Sequence, residues 1–317
     1  MKTQNIFNAS LNFQQGLRIE SQLETRQLCS GQDHVAQGSY ASDADTTTYW
    51  AAAFDGHGND HAIEKIRAAN LLTIMQSPAP WLDLQRLMDD DTSATLDTKR
   101  NSGSTMVFTK IKVSPENIHV SICNIGDSCA VLFINGEPVF VTKPHCLENA
   151  EEMARLVREN RVDLNDLYSM RDLDFEILSP TTLRSIDGKY MWIHSHDKRN
   201  RQEMSMTQSL GHDRLTGLQP SVSTFQCNRS DNIRVCLFSD GVTDVMPVRS
   251  TCSFMQTTTA LLDEAERRWK QEWTVYYKMD TCIRHKVSFP KNGYDDCCCA
   301  MISVGPHSEE LVMKRKK

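Results

Sequence analysis

Hydrophobic positions in this chain gather into short runs, each stopped by turn residues. Tyr49 to Phe54 is an aromatic and alanine run that ends at Asp55-Gly56-His57-Gly58, where the glycines predict a tight loop just past a strand. From Asp60 to Met75, Ile63, Ile66, Leu71 and Ile74 recur near helical spacing before Pro78, which predicts one helix packed on a sheet. Thr105 to Val113, Ile118 to Cys123 and Ala130 to Ile134 alternate with Ser114-Pro115-Glu116-Asn117 and Asn135-Gly136, the marks of a β meander. A helix is predicted from Asn149 to about Arg158, with Met153, Leu156 and Val157 on its apolar side. Leu261, Ala265, Trp269 and Trp273 recur every four residues and predict a long helix between two further strands, Ile233 to Phe238 and Cys297 to Val304. Residues 163–201 are mixed and charged, and read as a flap or insertion.

Aspartates flank these predicted strands. Asp55 and Asp240 follow strands, Asp295 precedes one, and Asp127 lies in a turn between two. Antiparallel neighbours bring alternate ends to the same side, so such positions can converge on one rim. Two carboxylates about 5 Å apart repel by roughly 3 kcal/mol at an effective dielectric of about 20. A divalent cation offsets that repulsion, and an all-oxygen ligand set suits magnesium or manganese better than zinc. His57 and His61 are four apart, but the glycines around His57 argue for a loop, and the glutamate of a zinc-protease helix is absent.

Composition narrows the picture without redirecting it. The chain has 317 residues, 39% hydrophobic and 24% charged, enough apolar surface for one large elaborated core. A net charge of -6 gives no broad grip on nucleic acid, and Lys314-Arg315-Lys316-Lys317 reads as a solvated tail. No run approaches the roughly 20 apolar residues of a membrane helix. The 11 cysteines, several inside apolar runs, fit a reducing compartment, and the expected location is cytoplasmic with the nucleus open as a second one. Cys297, Cys298 and Cys299 are adjacent, so in a strand they alternate faces and cannot share one zinc.

The ordered set Phe54-Asp55-Gly56-His57-Gly58, Gly103-Ser104-Thr105, Asn124-Ile125-Gly126-Asp127-Ser128, Ser239-Asp240-Gly241 with Asp244, and Asp295-Asp296 before a strand resembles the PP2C family of metal-dependent protein serine/threonine phosphatases, from about residue 16 to residue 304. The resemblance implies an α+β fold, a β sandwich of two antiparallel sheets flanked by α-helices, between an N-terminal extension (1–15) and a charged tail (305–317). It implies a site for two Mg²⁺ or Mn²⁺ ions. Asp55 is similar to the bridging aspartate, Gly56 to the carbonyl ligand, and Asp240 and Asp295 to the aspartates of one metal. Asp33, in Gly31-Gln32-Asp33-His34, resembles the early acidic residue that follows a phosphate-binding arginine, for which Arg26 is the nearest candidate and Arg18 a remoter alternative. A third metal is implied at Asp127, Asp240 and Asp244, and His57 resembles the proposed general acid.

In that family a metal-activated water attacks phosphorus directly, with no phosphoenzyme. The implied partners are phosphorylated protein substrates, for a chain expected to be monomeric, without nucleic acid or membrane. Arg26 lies out of register with the family's arginine, Cys129 replaces another arginine, Pro144 an aspartate, Gln208 an arginine and His212 an aspartate. These departures leave two alternatives open: a pseudophosphatase that binds without turnover, and a phosphatase of small phosphoesters.

Overall fold

The computed structural model describes residues 7–8, 12–14, 16–159, 174–186, 191–194, 201–277 and 280–306. Two antiparallel sheets of seven strands face one another. In the first, Leu17–Arg26 pairs with Cys297–Pro306, which pairs with Ile233–Phe238, then Cys129–Ile134 and the edge strand Glu137–Val141. In the second, the long strand Thr46–Gly58 pairs with Asp33–Asp43 along one side and with Met106–Val113 on the other, followed by Ile118–Ile125 and Ser221–Cys227.

The two-residue period of a strand explains why both faces of each sheet are covered. On Thr46–Gly58, Tyr49, Ala51 and Ala53 enter the core between the sheets with Ile122, Leu132, Leu237 and Ile302. Trp50, Ala52 and Phe54 point the other way, against Ile63 and Ile66 of helix His61–Ala68, Met75 of Leu71–Gln76 and Leu84 of Pro80–Asp89. Behind the first sheet, Phe238, Cys299 and Met301 pack on Leu261, Ala265 and Trp269 of helix Thr258–Lys270. The adjacent cysteines divide as alternation requires: Cys298 lies in the inter-sheet core, Cys297 and Cys299 behind it, all with free thiols.

Several expectations are corrected. The strand through Asp55 continues to Gly58, because Gly56, His57 and Gly58 pair with Ser104, Gly103 and Ser102. The single helix expected from Asp60 to Met75 is two, since the chain turns extended at Ala69 and Asn70 caps a new start by accepting from the Thr73 amide. Helix Ala150–Arg158 forms with Asn149 as its cap, and Leu156 is buried, but Val157 is 39% exposed. The long helix ends at Lys270, and Trp273 belongs to strand Glu272–Tyr277, its indole donating to the Arg268 carbonyl at 3.1 Å.

That strand joins a four-stranded side sheet with Asp174–Ser179, Thr182–Ile186 and Asp280–Ser288, in which Thr182–Ile186 and Glu272–Tyr277 run parallel. Part of the segment expected to be a flap is therefore sheet. Residues 163–173, 187–190 and 195–200 of that segment lie outside the described residues, as do most of the expected extension and tail. No helix among the described residues is long and apolar enough to cross a membrane.

The inter-sheet core sets a testable scale. Leu237→Ala, at a fully buried position, should cost about 2–5 kcal/mol in urea denaturation. Val139→Ala, on the edge strand and 50% exposed, should stay within about 0.5 kcal/mol of wild type.

Candidate metal centre

At one end of the sandwich the strand ends bring six carboxylates together. Asp33 opens its strand directly opposite Asp55. Asp240 starts the short helix Asp240–Thr243 after Ile233–Phe238, and Asp295 stands just before Cys297–Pro306, which pairs with Ile233–Phe238. One oxygen from each of Asp240, Asp244 and Asp295 lies within 4.8 Å of the others.

The electrostatic cost is visible in the acidities. Burial first, then Asp296 and Asp240, push the Asp33 carboxyl up to about 7. Burial, then Asp240 and Asp244, push Asp295 up to about 10. Asp55 is raised by burial and by Asp240, Asp33 and Asp295, and Asp127 by burial and by Asp240 and Glu148. Two oxygens of the cluster, Oδ1 of Asp240 and Oδ1 of Asp127, are buried without a hydrogen bond among the described residues, unlike the usual buried carboxylate oxygen. Clustered carboxylate oxygens, two of them without a hydrogen bond, are a donor set for hard divalent cations, so the residues present fit magnesium or manganese.

Hydrogen bonds elsewhere hold the carboxylates at this spacing. The Ser239 hydroxyl donates to Asp33 Oδ2 at 2.7 Å while its oxygen accepts from the Cys298 amide at 2.9 Å, so one serine ties two strands to one carboxylate. Thr105 donates its amide to the Asp55 carbonyl at 2.8 Å and shares a 2.6 Å hydroxyl contact with Ser128, the residue after Asp127. His145 grips the same turn twice: its Nδ1 accepts from the Gly126 amide at 3.1 Å, and its own amide donates to the Gly126 carbonyl at 2.9 Å. The turn at Asp240 is pressed on Asp295-Asp296 so closely that a Cβ on Gly241 would stand 2.0 Å from the Asp296 carbonyl oxygen. Trp269 secures that turn from behind, donating its indole N–H to the Gly241 carbonyl at 2.8 Å.

Asp296 does different work from its neighbour. Its carboxylate accepts from the Cys29 amide at 2.7 Å, the Ser30 hydroxyl at 2.7 Å, the Gln32 amide at 3.0 Å and the Gly31 amide. Gln32 passes the order on: its carbonyl accepts from the Gly56 amide at 3.3 Å, and its side chain donates to the Gly58 carbonyl at 3.1 Å. A single buried carboxylate thus shapes the loop that delivers Asp33 and seats the strand end bearing Asp55 and Gly56. Reading the sequence missed this role; the signal was a second acidic residue entering a wholly buried strand, where only a network of donors can hold it.

Arg26 is a correction. It lies opposite Cys297, so it shares that residue's outward face. Its guanidinium meets Asp263 at 2.8 Å, Glu266 at 3.2 Å and Glu24, among helix residues behind the sheet rather than among the aspartates. In the loop itself, Gln27 donates to the Asp33 carbonyl at 3.0 Å, and Arg67, from helix His61–Ala68, donates to the carbonyls of Gly31 at 2.7 Å and Asp33 at 3.0 Å.

His57 lies beside the cluster, its ring stacked on His212 at 4.7 Å between centroids. Burial and then His212 push His57 down to about 3; burial pushes His212 down to about 4. Both rings are neutral at pH 7. They close over Gly103, where a Cβ would stand 2.2 Å from His212. His212, Asp213 and Arg214 all have positive φ, a costly run for residues with side chains. It is held by His212 Nδ1 against the Arg100 carbonyl at 2.8 Å, Arg100 on Asp213 at 3.2 Å and Arg214 on Asp89 at 3.1 Å. The histidine that departs from the family pattern is therefore built in as a brace for His57. Gln208, the other departure in that segment, is equally buried, donating to Glu152 at 3.0 Å in a network with Arg155 and Thr207.

Fold and site define the class: an antiparallel sandwich with an aspartate cluster at one rim. The family model for Protein phosphatase 2C matches residues 16–170, just under half of the chain, and over that segment the chain is similar to the PP2C-type protein serine/threonine phosphatases. Among solved structures, serine-threonine phosphatase 2C from Toxoplasma gondii superposes with a TM-score of 0.50 at 14% identity over 96% of this chain and 99% of that one. A C. elegans sex determining protein gives 0.51 at 15% identity over 91% of this chain and 65% of that one. The serine/threonine phosphatase PstP/Ppp of Mycobacterium tuberculosis gives 0.48 at 17% identity, over 92% and 99%. The fold expected from the motifs is the fold observed.

Two substitutions separate the roles assigned here. In chelator, Asp240→Asn should raise the melting temperature by removing one charge from the cluster, and manganese should then stabilise it far less than it stabilises wild type. Asp296→Ala strands four donors and should cost about 3–5 kcal/mol in chemical denaturation, with or without metal.

Proposed function

We propose that this chain hydrolyses phosphoserine and phosphothreonine in proteins at a site holding two divalent cations, magnesium or manganese. The observation that carries the reading is the convergence of Asp33, Asp55, Asp240 and Asp295 on one rim, with one buried oxygen of Asp240 that no donor among the described residues satisfies. Asp55, the Gly56 carbonyl, Asp240 and Asp295 would hold the ions, with Asp33 contributing on the loop side. Asp127 and Asp244, which flank Asp240 in the cluster, would supply a third, weaker position.

When bound, such ions make a coordinated water acidic enough to attack phosphorus at neutral pH and neutralise charge on the phosphoryl oxygens. The chain's own part is to fix the ligands and manage the proton. Asp296 and Ser239 fix Asp33; Thr105 and Gln32 fix the strand end at Asp55 and Gly56. His57, braced by His212 beside the carboxylates, would protonate the departing serine or threonine alkoxide, a strong base that cannot leave unprotonated, after the negative charge of the phosphoryl group has brought its ring to the imidazolium form.

The intact cluster favours an enzyme over a binding module, because paired buried carboxylates destabilise a fold that has no use for them. Purified protein should release phosphate from a phosphothreonine peptide only with added magnesium or manganese, and Asp55→Ala should abolish release. Turnover undiminished in excess chelator would refute the metal mechanism, and a strong preference for small phosphoesters would displace the protein substrate. His57→Gln should slow the phosphothreonine peptide about 10²-fold or more while sparing an aryl phosphate, whose phenolate leaves without a proton. Equal losses on both substrates would remove the proton-donor role.

A further inference from the structure

The helix-packed sheet carries a second polar feature at the end remote from the carboxylates. Strand register sets Tyr40 opposite Thr48, Thr48 opposite Lys112, and Lys112 opposite His119. On the same face the next row sets Lys110 opposite Ser121. With Ser42, whose hydroxyl lies 2.6 Å from that of Thr48, these side chains line an open trough of about 500 Å³.

Its charge is unbalanced. Lys110 is half-buried, and burial holds its ammonium below the usual lysine range. It donates to the Ser77 carbonyl at 2.8 Å and lies 5.8 Å from the centre of the Phe108 ring, and among the described residues it forms no ion pair. An ammonium has three donors, so this one keeps capacity for a ligand. Lys112 meets a carboxylate only at 3.7 Å, from Asp43. Two ammonium groups and an imidazole, interleaved with hydroxyls, thus face a single carboxylate on a chain whose net charge is -6. Several convergent donors around a compact opening suit a tetrahedral oxyanion, which accepts from many directions at once.

We propose that this trough binds a phosphoryl group carried on a protein substrate, at a residue other than the one being hydrolysed. Thr48 and Asp55 lie seven positions apart on one strand, about 23 Å at roughly 3.3 Å per residue. One phosphoryl group cannot serve both ends, and because helices pack on the intervening Trp50, Ala52 and Phe54, the second group would be carried on a longer segment of the substrate that passes around those helices. The choice of a protein-borne group rests on the phosphatase reading; anion binding in the trough does not.

The test uses the full chain, ¹⁵N-labelled, in chelator so that hydrolysis does not consume the probe. It is titrated with a phosphoserine peptide, the same peptide unphosphorylated, and inorganic phosphate. The phosphopeptide should move the amide signals of Lys112, His119 and Ser121, and the unphosphorylated peptide should not. Inorganic phosphate should bind the same place at least about tenfold more weakly. Lys112→Glu, at an exposed position, should weaken phosphopeptide binding by about tenfold or more, and Lys110→Met should repeat the loss. Signals that stay still at millimolar phosphopeptide, binding that survives Lys112→Glu, or phosphate binding as tightly as the peptide would overturn the proposal. Because binding is read without turnover, a failed hydrolysis assay leaves this result standing, and the reverse also holds.

Discussion

Repulsion among carboxylates at the rim of the sandwich is the constraint around which the rest is arranged. Left alone, Asp33, Asp55, Asp127, Asp240, Asp244 and Asp295 would separate or take up protons, and the raised pKa of four of them records that pressure. Two rigid sheets oppose it. The strands that end at the rim are fixed by an inter-sheet core with no exposed face, so the aspartates cannot move apart without disturbing Leu237, Ala300 and their neighbours. What the fold supplies is therefore a strained charge arrangement that a cation would relieve, and binding energy of that kind is available for catalysis.

The supporting residues show how the strain is contained. Ser239 and Cys298 bind one another and, through the serine hydroxyl, Asp33. Asp296 gathers four donors of the loop at residues 29–32. Trp269 reaches from the helix behind the sheet to the Asp240 turn, and it also packs on Phe289 and Tyr294. Through Trp269 the side sheet and the metal rim share one buried cluster, which makes the helix Thr258–Lys270 part of the site's scaffold rather than a cover for the sheet. The same economy appears at His57, where a run of left-handed backbone is tolerated because it places His212 against the ring.

Much of this was legible along the chain because strands announce themselves by run length and turn residues, and because the metal-ligand types sit where those runs stop. The hairpin of Met106–Val113 with Ile118–Ile125, the buried cysteines at 297–299 and the convergence of the strand-end aspartates followed from such local signals, but the third strand expected in a β meander, Cys129–Ile134, crosses to the other sheet and pairs with Ile233–Phe238 and Glu137–Val141. What could not be read was anything decided by register. Gly56 to Gly58 pair with Ser102 to Ser104, so a stretch whose glycines spelled loop is strand. Arg26 is near Asp33 in sequence, yet strand alternation sends it to the opposite face. Trp273 fits a helical repeat by spacing, but the helix ends before it and a parallel partner, Thr182–Ile186, draws it into a sheet. The roles of Asp296 and His212 depend on contacts more than 100 residues away, which no local pattern encodes.

The claim on which all of this turns is that the clustered carboxylates exist to hold hard cations. Manganese titration followed by electron paramagnetic resonance tests it most directly, because bound and free ions give different signals and no substrate is needed. Two manganese ions per chain should lose their free-ion signal, and Asp55→Asn should release both. A chain that leaves manganese free at millimolar concentration, or one that binds it equally well without the Asp55 carboxylate, would contradict the account.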